Sequence, residues 1–222
     1  MYLRTEFLER VAHELRGPAG VTSGALDELE LALGPEAEKF KALFLMARRG
    51  VRRVLRSADR LQRTAQLEGG KTDWSRVSTD LRGIVETATR EAEHLEGRRA
   101  ICVEVTCTES PCFAAIDAGW MHNAIAETVG NAIRFARTTV TVDTQATELE
   151  VKITVRDDGP GFSGPPLLRF QPPSAKRGLG LSLPIVRDVV SSHGGRMEID
   201  DREEAPPSGA RVIITLPLDP SR

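Results

Sequence analysis

Phe7-Leu8-Glu9-Arg10-Val11-Ala12-His13-Glu14-Leu15-Arg16-Gly17-Pro18 is the stretch from which the rest of the chain is read. At about 100° per residue, Phe7, Leu8, Val11, Ala12 and Leu15 fall within one apolar arc, which predicts an amphipathic helix. His13 then points away from that arc, into solvent. Pro18 removes a backbone donor one turn later and predicts a kink. Leu26, Leu29 and Leu33 continue the apolar face until Gly34-Pro35 breaks it. A second helix carries Phe40, Leu43, Ala47, Val51, Val54, Ala58, Leu61 and Ala65 in steps of three and four, and stops at Gly69-Gly70. Two such helices joined by a short turn predict an antiparallel hairpin over residues 1–70. One hairpin covers both apolar stripes poorly, so a homodimer forming a four-helix bundle is expected. Packing of the hairpin on its own C-terminal domain is the alternative.

Over residues 71–222 the texture changes to mixed helix and strand. Asp80 can cap a helix running to about Glu96. Ile101–Thr106, Phe113–Ile116, Thr138–Asp143, Leu149–Val155, Met197–Ile199 and Arg211–Leu216 have strand composition. Asp117 to Ala136 and Leu181–Ser192 read as helices. Strands and helices mix without strict βαβ repetition, so the fold class is α+β: a helical hairpin followed by an α/β sandwich of helices on one sheet.

The 222 residues, 40% hydrophobic and 28% charged with a net charge of −2, suit a globular core and give no reason to expect a nucleic-acid partner. Arg48, Arg49, Arg52, Arg53 and Arg56 read as a solvated helix face. Cys102, Cys107 and Cys112 lack zinc-site spacing and cannot all pair, which favours a reducing, cytoplasmic setting. No apolar run has the length of a membrane span, and no signal peptide is legible, so a soluble chain without a membrane segment is expected. His94 and His122 read as surface positions. His193, ahead of Gly194-Gly195 at a helix end, reads as a cation complementing the dipole.

An exposed histidine beside a glutamate says little alone. The whole string from Phe7 to Pro18, however, closely resembles the phosphoacceptor box of histidine kinases, F-x-x-x-x-x-H-E-L-R-x-P. The resemblance implies that His13 is a nucleophile and Glu14 its acid/base partner. Neutral imidazole is nucleophilic near pH 7, and a neighbouring carboxylate can fix its tautomer and accept its proton. Where the family usually has Thr, Asn or Ser, at a position linked to orienting water in dephosphorylation of the partner, this chain has Gly17. Weak phosphatase activity is expected.

Three further patches resemble, in order, the ATP-binding domain shared by histidine kinases, gyrase-type topoisomerases and heat-shock chaperones of the ninety-kilodalton class. In Glu127-Thr128-Val129-Gly130-Asn131-Ala132-Ile133-Arg134-Phe135-Ala136, one helix face carries Glu127, Asn131 and Arg134. The resemblance makes Asn131 a Mg²⁺ ligand, with Glu127 a second candidate, Arg134 a phosphate contact and Phe135 a neighbour of base or ribose. Many histidine kinases have Asn where Glu127 stands; a Glu there in gyrase-type relatives activates water. In Val155-Arg156-Asp157-Asp158-Gly159-Pro160-Gly161-Phe162, the resemblance makes Asp157 the acceptor of the adenine amino group, with Gly159 and Gly161 permitting close approach. In Lys176-Arg177-Gly178-Leu179-Gly180-Leu181-Ser182-Leu183, glycines ahead of a helix can cradle phosphates through backbone N–H groups, with Lys176 or Arg177 adding charge; the family commonly has a third glycine where Ser182 stands, and serine is small enough to be tolerated there. Leu168-Arg169-Phe170 resembles the family's lid. The implied activity is ATP-dependent phosphorylation of His13, with Mg²⁺, followed by transfer to an aspartate on a response regulator receiver domain. A non-catalytic ATP-responsive interaction module, and an ATPase using Glu127, are the competing readings.

Overall fold

The computed structural model describes residues 2–70, 72–97, 100–108, 110–162, 180–200 and 209–219. The chain divides into two compact units, Met1–Thr72 and Asp73–Arg222.

In the first unit, α1 (Tyr2–Leu33) and α2 (Lys41–Glu68) pack on each other and are joined by a 3₁₀ segment over Gly34–Phe40. Gly34, at φ +51°, takes the left-handed conformation that ends α1. Ion pairs Arg4–Glu68, Arg16–Asp59 and Arg48–Asp27 run in opposite senses along the two helices, which makes the hairpin antiparallel. The seam between them uses Leu8, Ala12 and Ala19 from α1 and Phe44, Ala58, Leu61 and Ala65 from α2. Alanine at four of these places lets the helix backbones approach closely.

As expected, α1 runs on through Pro18 as far as Leu33, and the Thr22 hydroxyl donates to the Pro18 carbonyl at 2.8 Å. Several other expectations change. Phe40 belongs to the connecting 3₁₀ segment. Phe7, Leu29 and Leu43 belong to the expected apolar faces, yet they are 64%, 51% and 57% exposed. The apolar stripe is therefore wider than the contact of one helix with one other. Arg48, read as solvated, reaches across to Asp27 at 2.7 Å and also to Glu30.

In the second unit, β1 (Val77–Asp80) pairs antiparallel with β3 (Phe113–Ile116). A five-stranded sheet has the order β2-β4-β5-β7-β6, with β2 (Cys102–Thr106), β4 (Thr139–Ala146), β5 (Glu150–Asp157), β6 (Arg196–Asp200) and β7 (Arg211–Pro217). Among the described residues, only the β2–β4 pair is parallel, and it needs a long crossover, which contains β3 and α4 (Ala118–Phe135). Val140 and Val142 of β4, Val151, Ile153 and Val155 of β5, and Ile214 and Leu216 of β7 are at most 2% exposed. Helix α4 lays Met121, Ile125, Val129 and Ile133 into the core, and α5 (Ser182–Ser192) adds Ile185, Val186, Val189 and Val190. Each large apolar side chain so buried contributes about 1.5–3 kcal/mol.

The helix α3 (Leu81–Glu96) starts on Asp80, whose side chain accepts the Arg82 N–H, and stops at Gly97, φ +58°. The Arg82 guanidinium holds the Asp80 carboxyl below its usual range. Helix α4 starts on Asp117, which accepts the Trp120 N–H at 3.1 Å. Strand β1 escaped the sequence reading because it has four residues and an exposed Val77 at 61%, so it shows no period. His193 corrects a second expectation. It is 6% exposed and uses both ring nitrogens in hydrogen bonds, so burial, rather than the helix dipole, sets its charge.

Candidate functional site

Leu8 and Ala12 face inward on α1, which turns His13 and Glu14 outward, and both are exposed. No hydrogen bond joins them in this conformation; adjacent helical residues stand about 100° apart. Pro18 has no N–H to offer the Glu14 carbonyl, so the backbone beside His13 lacks one rung of the helical ladder. Arg16 donates to Asp59 at 2.6 Å, fixing this turn of α1 to α2. A Cβ added at Gly17 would meet nothing within 4 Å.

The second group of residues meets where α4, β5 and β7 end or begin. At the end of β5, the Asp157 N–H donates to the Ala210 carbonyl at 3.0 Å. Its carboxylate Oδ1 accepts the Gly159 N–H at 2.8 Å and the Ala210 N–H at 3.4 Å. Burial pushes the Asp157 carboxyl above its usual range, although those two N–H groups oppose the shift. A Cβ at Gly159 would lie 2.5 Å from the Phe135 carbonyl oxygen and 2.6 Å from Asp157 Oδ1; one at Gly209 would lie 1.5 Å from the Asp157 carbonyl oxygen. Both positions therefore require glycine. Gly161 and Gly180 are also left-handed, at φ +71° and +64°.

Asp158 was not singled out from sequence. Its carboxylate accepts N–H groups from Arg137 at 2.7 Å and Thr138 at 2.9 Å, and the Thr138 hydroxyl as well. Burial works against ionisation there, but these donors outweigh it and hold the carboxyl well below its usual range. The turn after α4, and with it Phe135, is thereby fastened to the end of β5. Gly209 and Ala210 carry no recognisable motif in the sequence. Their only signal was the Pro-Pro-Ser-Gly composition ahead of a strand, which reads as an ordinary turn.

On α4, Glu127 and Asn131 are half-buried one turn apart. Glu127 Oε2 accepts the Ser182 hydroxyl at 3.0 Å, which ties α4 to the first turn of α5. Among the described residues, the Asn131 amide has no hydrogen-bond partner. Arg134 shares their face by spacing, yet its guanidinium donates to Glu96 of α3 at 3.1 Å. Leu181 is 1% exposed, and its carbonyl accepts the Ile185 N–H at 3.1 Å to open α5. Lys176, Arg177, Gly178 and the segment Leu168-Arg169-Phe170 lie outside the described residues.

Among the described residues, no cluster of three or more His, Cys, Asp or Glu side chains could hold a metal ion. Asn131 and Glu127, one turn apart on α4, each carry an oxygen donor of the kind suited to a cation that takes one or two protein ligands and fills its shell with water and phosphate, which is the habit of Mg²⁺. The arrangement thus combines an anchored carboxylate in a glycine-lined corner with two hard oxygen donors on the adjoining helix. Among the described residues, no helix is long and apolar enough to cross a membrane.

Residues 116–220 match the family model "Histidine kinase-, DNA gyrase B-, and HSP90-like ATPase". The chain is 28% identical over 237 aligned positions to the hybrid signal transduction histidine kinase D of Dictyostelium discoideum, covering 99% of this chain and 15% of that protein. It is 29% identical over 233 positions to the signal transduction histidine-protein kinase AfsQ2 of Streptomyces coelicolor, covering 97% of this chain and 42% of that protein. The chain thus spans less than half the length of these curated relatives. Among solved structures, the mycobacterial sensor histidine kinase MprB aligns with a TM-score of 0.57 at 27% identity, over 65% of this chain and 99% of that one. Full-length ShkA in complex with AMPPNP aligns with a TM-score of 0.70 over 96% of this chain and 46% of that one; at 21% identity, this likeness concerns the fold alone.

Proposed function

We propose, on the premise that the chain belongs with the sensor histidine kinases and carries an ATP-binding domain of the histidine kinase, gyrase B and HSP90 type, that it phosphorylates its own His13 from ATP. The observation that carries this reading is the Asp157 carboxylate, fixed by the Gly159 and Ala210 N–H groups in a corner where Gly159 and Gly209 let the main chain close tightly around it. An ionised carboxylate only accepts hydrogen bonds, so it selects a ligand edge that donates, as the amino group of adenine does.

Phosphoryl transfer asks mainly for positioning and charge neutralisation. One ring nitrogen of His13 attacks the terminal phosphorus, the bond to the bridging oxygen breaks and its electron pair leaves with ADP. Glu14 takes the ring proton. Mg²⁺, held by Asn131 with Glu127 as second oxygen donor, would supply neutralisation of the phosphate charge. Arg134, one of whose N–H groups donates to Glu96, is the phosphate contact through its other donors. Gly178, Gly180 and Leu181, with Lys176 and Arg177, are the phosphate-side segment, and Phe135 and Gly161 border the base. The phosphoryl group passes on to an aspartate of a response regulator receiver domain. Incubation with Mg²⁺ and γ-labelled ATP tests the reading: acid-labile, alkali-stable label on the chain is expected, and bound nucleotide with no label would leave only a binding module.

A second copy of the chain covers the outward apolar residues of the hairpin. Leu29, Leu31, Leu43 and Met46 are all more than half exposed in one copy, at 51%, 84%, 57% and 64%, which supports a homodimer. A dimer mass at micromolar concentration is expected, and a strict monomer would overturn this part. Three free thiols support a reducing, cytoplasmic setting; burial pushes the Cys107 and Cys112 thiols up, towards inertness.

Gly17 gives a further expected result. Gly17→Thr should fold, because the position is open, and gain a few tenths of a kcal/mol of helix stability. Autophosphorylation should stay unchanged while dephosphorylation of the phosphorylated receiver partner rises. Equal phosphatase rates in the two proteins, or a high rate already in the parent, would refute the role given to this position.

A further inference from the structure

Trp74 stands two residues after Thr72, the last residue of the N-terminal unit, and it is already bound into the C-terminal unit. Its ring meets His193 edge-on, with centroids 4.9 Å apart, and leans on Trp120 at 5.4 Å. The next two residues are held as well: Ser75 N–H donates to Asp117 Oδ2 at 3.1 Å, and the Arg76 guanidinium donates to the Ser192 carbonyl at 2.6 Å. The connector between the units is thus fastened at the start of α4 and the end of α5. On the other side, the Thr72 hydroxyl donates to the Gln66 carbonyl of α2 at 3.3 Å.

His193 is the buried centre of this cluster, and its contacts fix its protonation. Nδ1 lies 2.7 Å from the Val189 carbonyl, which accepts only, so Nδ1 carries hydrogen. Nε2 lies 3.0 Å from the Asp117 N–H, which donates only, so Nε2 must be bare. A proton added at Nε2 would set N–H against N–H and break the bond to Asp117, the residue that caps α4 and holds Ser75.

We propose that neutral His193 latches the connecting segment Trp74–Arg76 onto the C-terminal unit, and that protonation of its Nε2 releases that segment. The free tether between the two units lengthens when it lets go. Burial pushes the imidazole below its usual range and outweighs the Val189 carbonyl; Arg76, from the connector, pushes the same way, while Asp117, at the start of α4, opposes it. With a folded pKa below the unfolded value of 6.5, the latch is at full strength above that pH and weakens as pH falls through the window beneath it. The proposal stands whether or not the chain binds nucleotide.

The chain has two tryptophans, and both belong to this cluster, so emission excited at the red edge of the absorption band, where Tyr2 does not absorb, reports on it alone. Titrated from about pH 8 to about 5, across the range where imidazole changes charge, the emission should show one transition with a midpoint below 6.5. Over the same range, hydrogen exchange at the Ser75 amide, corrected for its intrinsic pH dependence, should speed up by as much as about tenfold per pH unit. In His193→Gln the emission transition should vanish. A midpoint at or above the ordinary histidine value, a transition that survives in His193→Gln, or Ser75 exchange that stays flat would overturn the latch. Nitrogen-detected NMR of the imidazole in the unmodified protein gives an answer even if the variant misfolds: hydrogen on Nδ1 alone at neutral pH is expected, and hydrogen on Nε2 contradicts the proposal.

Discussion

His13→Gln should leave a chain that folds, binds nucleotide as the parent does, and takes up no label from γ-labelled ATP. The expected loss is complete because the step needs a nucleophilic nitrogen, and glutamine offers an amide whose lone pair is delocalised. The structural cost should be small. His13 is exposed on α1 and makes no side-chain hydrogen bond, and surface changes of this kind stay within about 0.5 kcal/mol. Glutamine is also a better helix former than histidine. Label incorporation, thermal melting and nucleotide titration on the same preparation separate the possibilities. Label retained by the folded variant would move the acceptor elsewhere. Label lost together with folding would say nothing for His13, and His13→Ala with an unchanged melting temperature would then decide.

Asp157→Asn should weaken nucleotide binding by about 10- to 100-fold, the cost of losing a hydrogen bond to a charged acceptor. Folding should not suffer. Asparagine keeps one oxygen for the Gly159 N–H, which Asp157 now accepts at 2.8 Å, and removes a charge that burial disfavours. The sign follows from the raised pKa. Below the unfolded value of 3.8 the carboxyl is neutral in both states; as pH rises above it, the unfolded chain ionises first, and folding stability is lost until the folded group ionises too. The variant escapes that loss, so its melting temperature at neutral pH should match or exceed the parent's. Titration calorimetry and an unliganded melt measure the two effects separately. Undiminished affinity would remove Asp157 from the base site, and a weaker affinity accompanied by a matching drop in melting temperature would make its role structural.

Sequence pattern alone found the elements with long, clean periods. Asp80, Gly97 and Asp117 bound α3 and α4 where capping chemistry puts such residues, and β3 runs Phe113–Ile116 as its composition foretold. Strand β1 was illegible because pairing with β3, rather than its own alternation, makes it a strand. The hairpin's apolar stripe was legible but not its division: Phe44 turns inward while Phe40 and Leu43 turn outward, a choice made by helix packing angles that no periodicity contains. At the site, Asp157 and Gly159 stood out, since an acid ahead of glycines after a strand is a local pattern. Gly209 and Ala210 are 52 and 53 residues further on and reach Asp157 only because β5 and β7 pair with Arg156 opposite Arg211. Arg134 shows the reverse failure. Helical spacing grouped it with Asn131, but Glu96 at the end of α3, remote in sequence, claims its guanidinium.

The carboxylate at the end of β5 is gripped by main-chain hydrogens, not by side chains. Such a grip does not depend on what stands at 210, since any residue but proline brings the same donor. Sequence drift around the corner is therefore cheap, whereas positions 159 and 209 are frozen by lack of room. A variant library spanning this region should split into silent and null members with few intermediates, its geometry being written in backbone and in the two close approaches where a methyl group would collide.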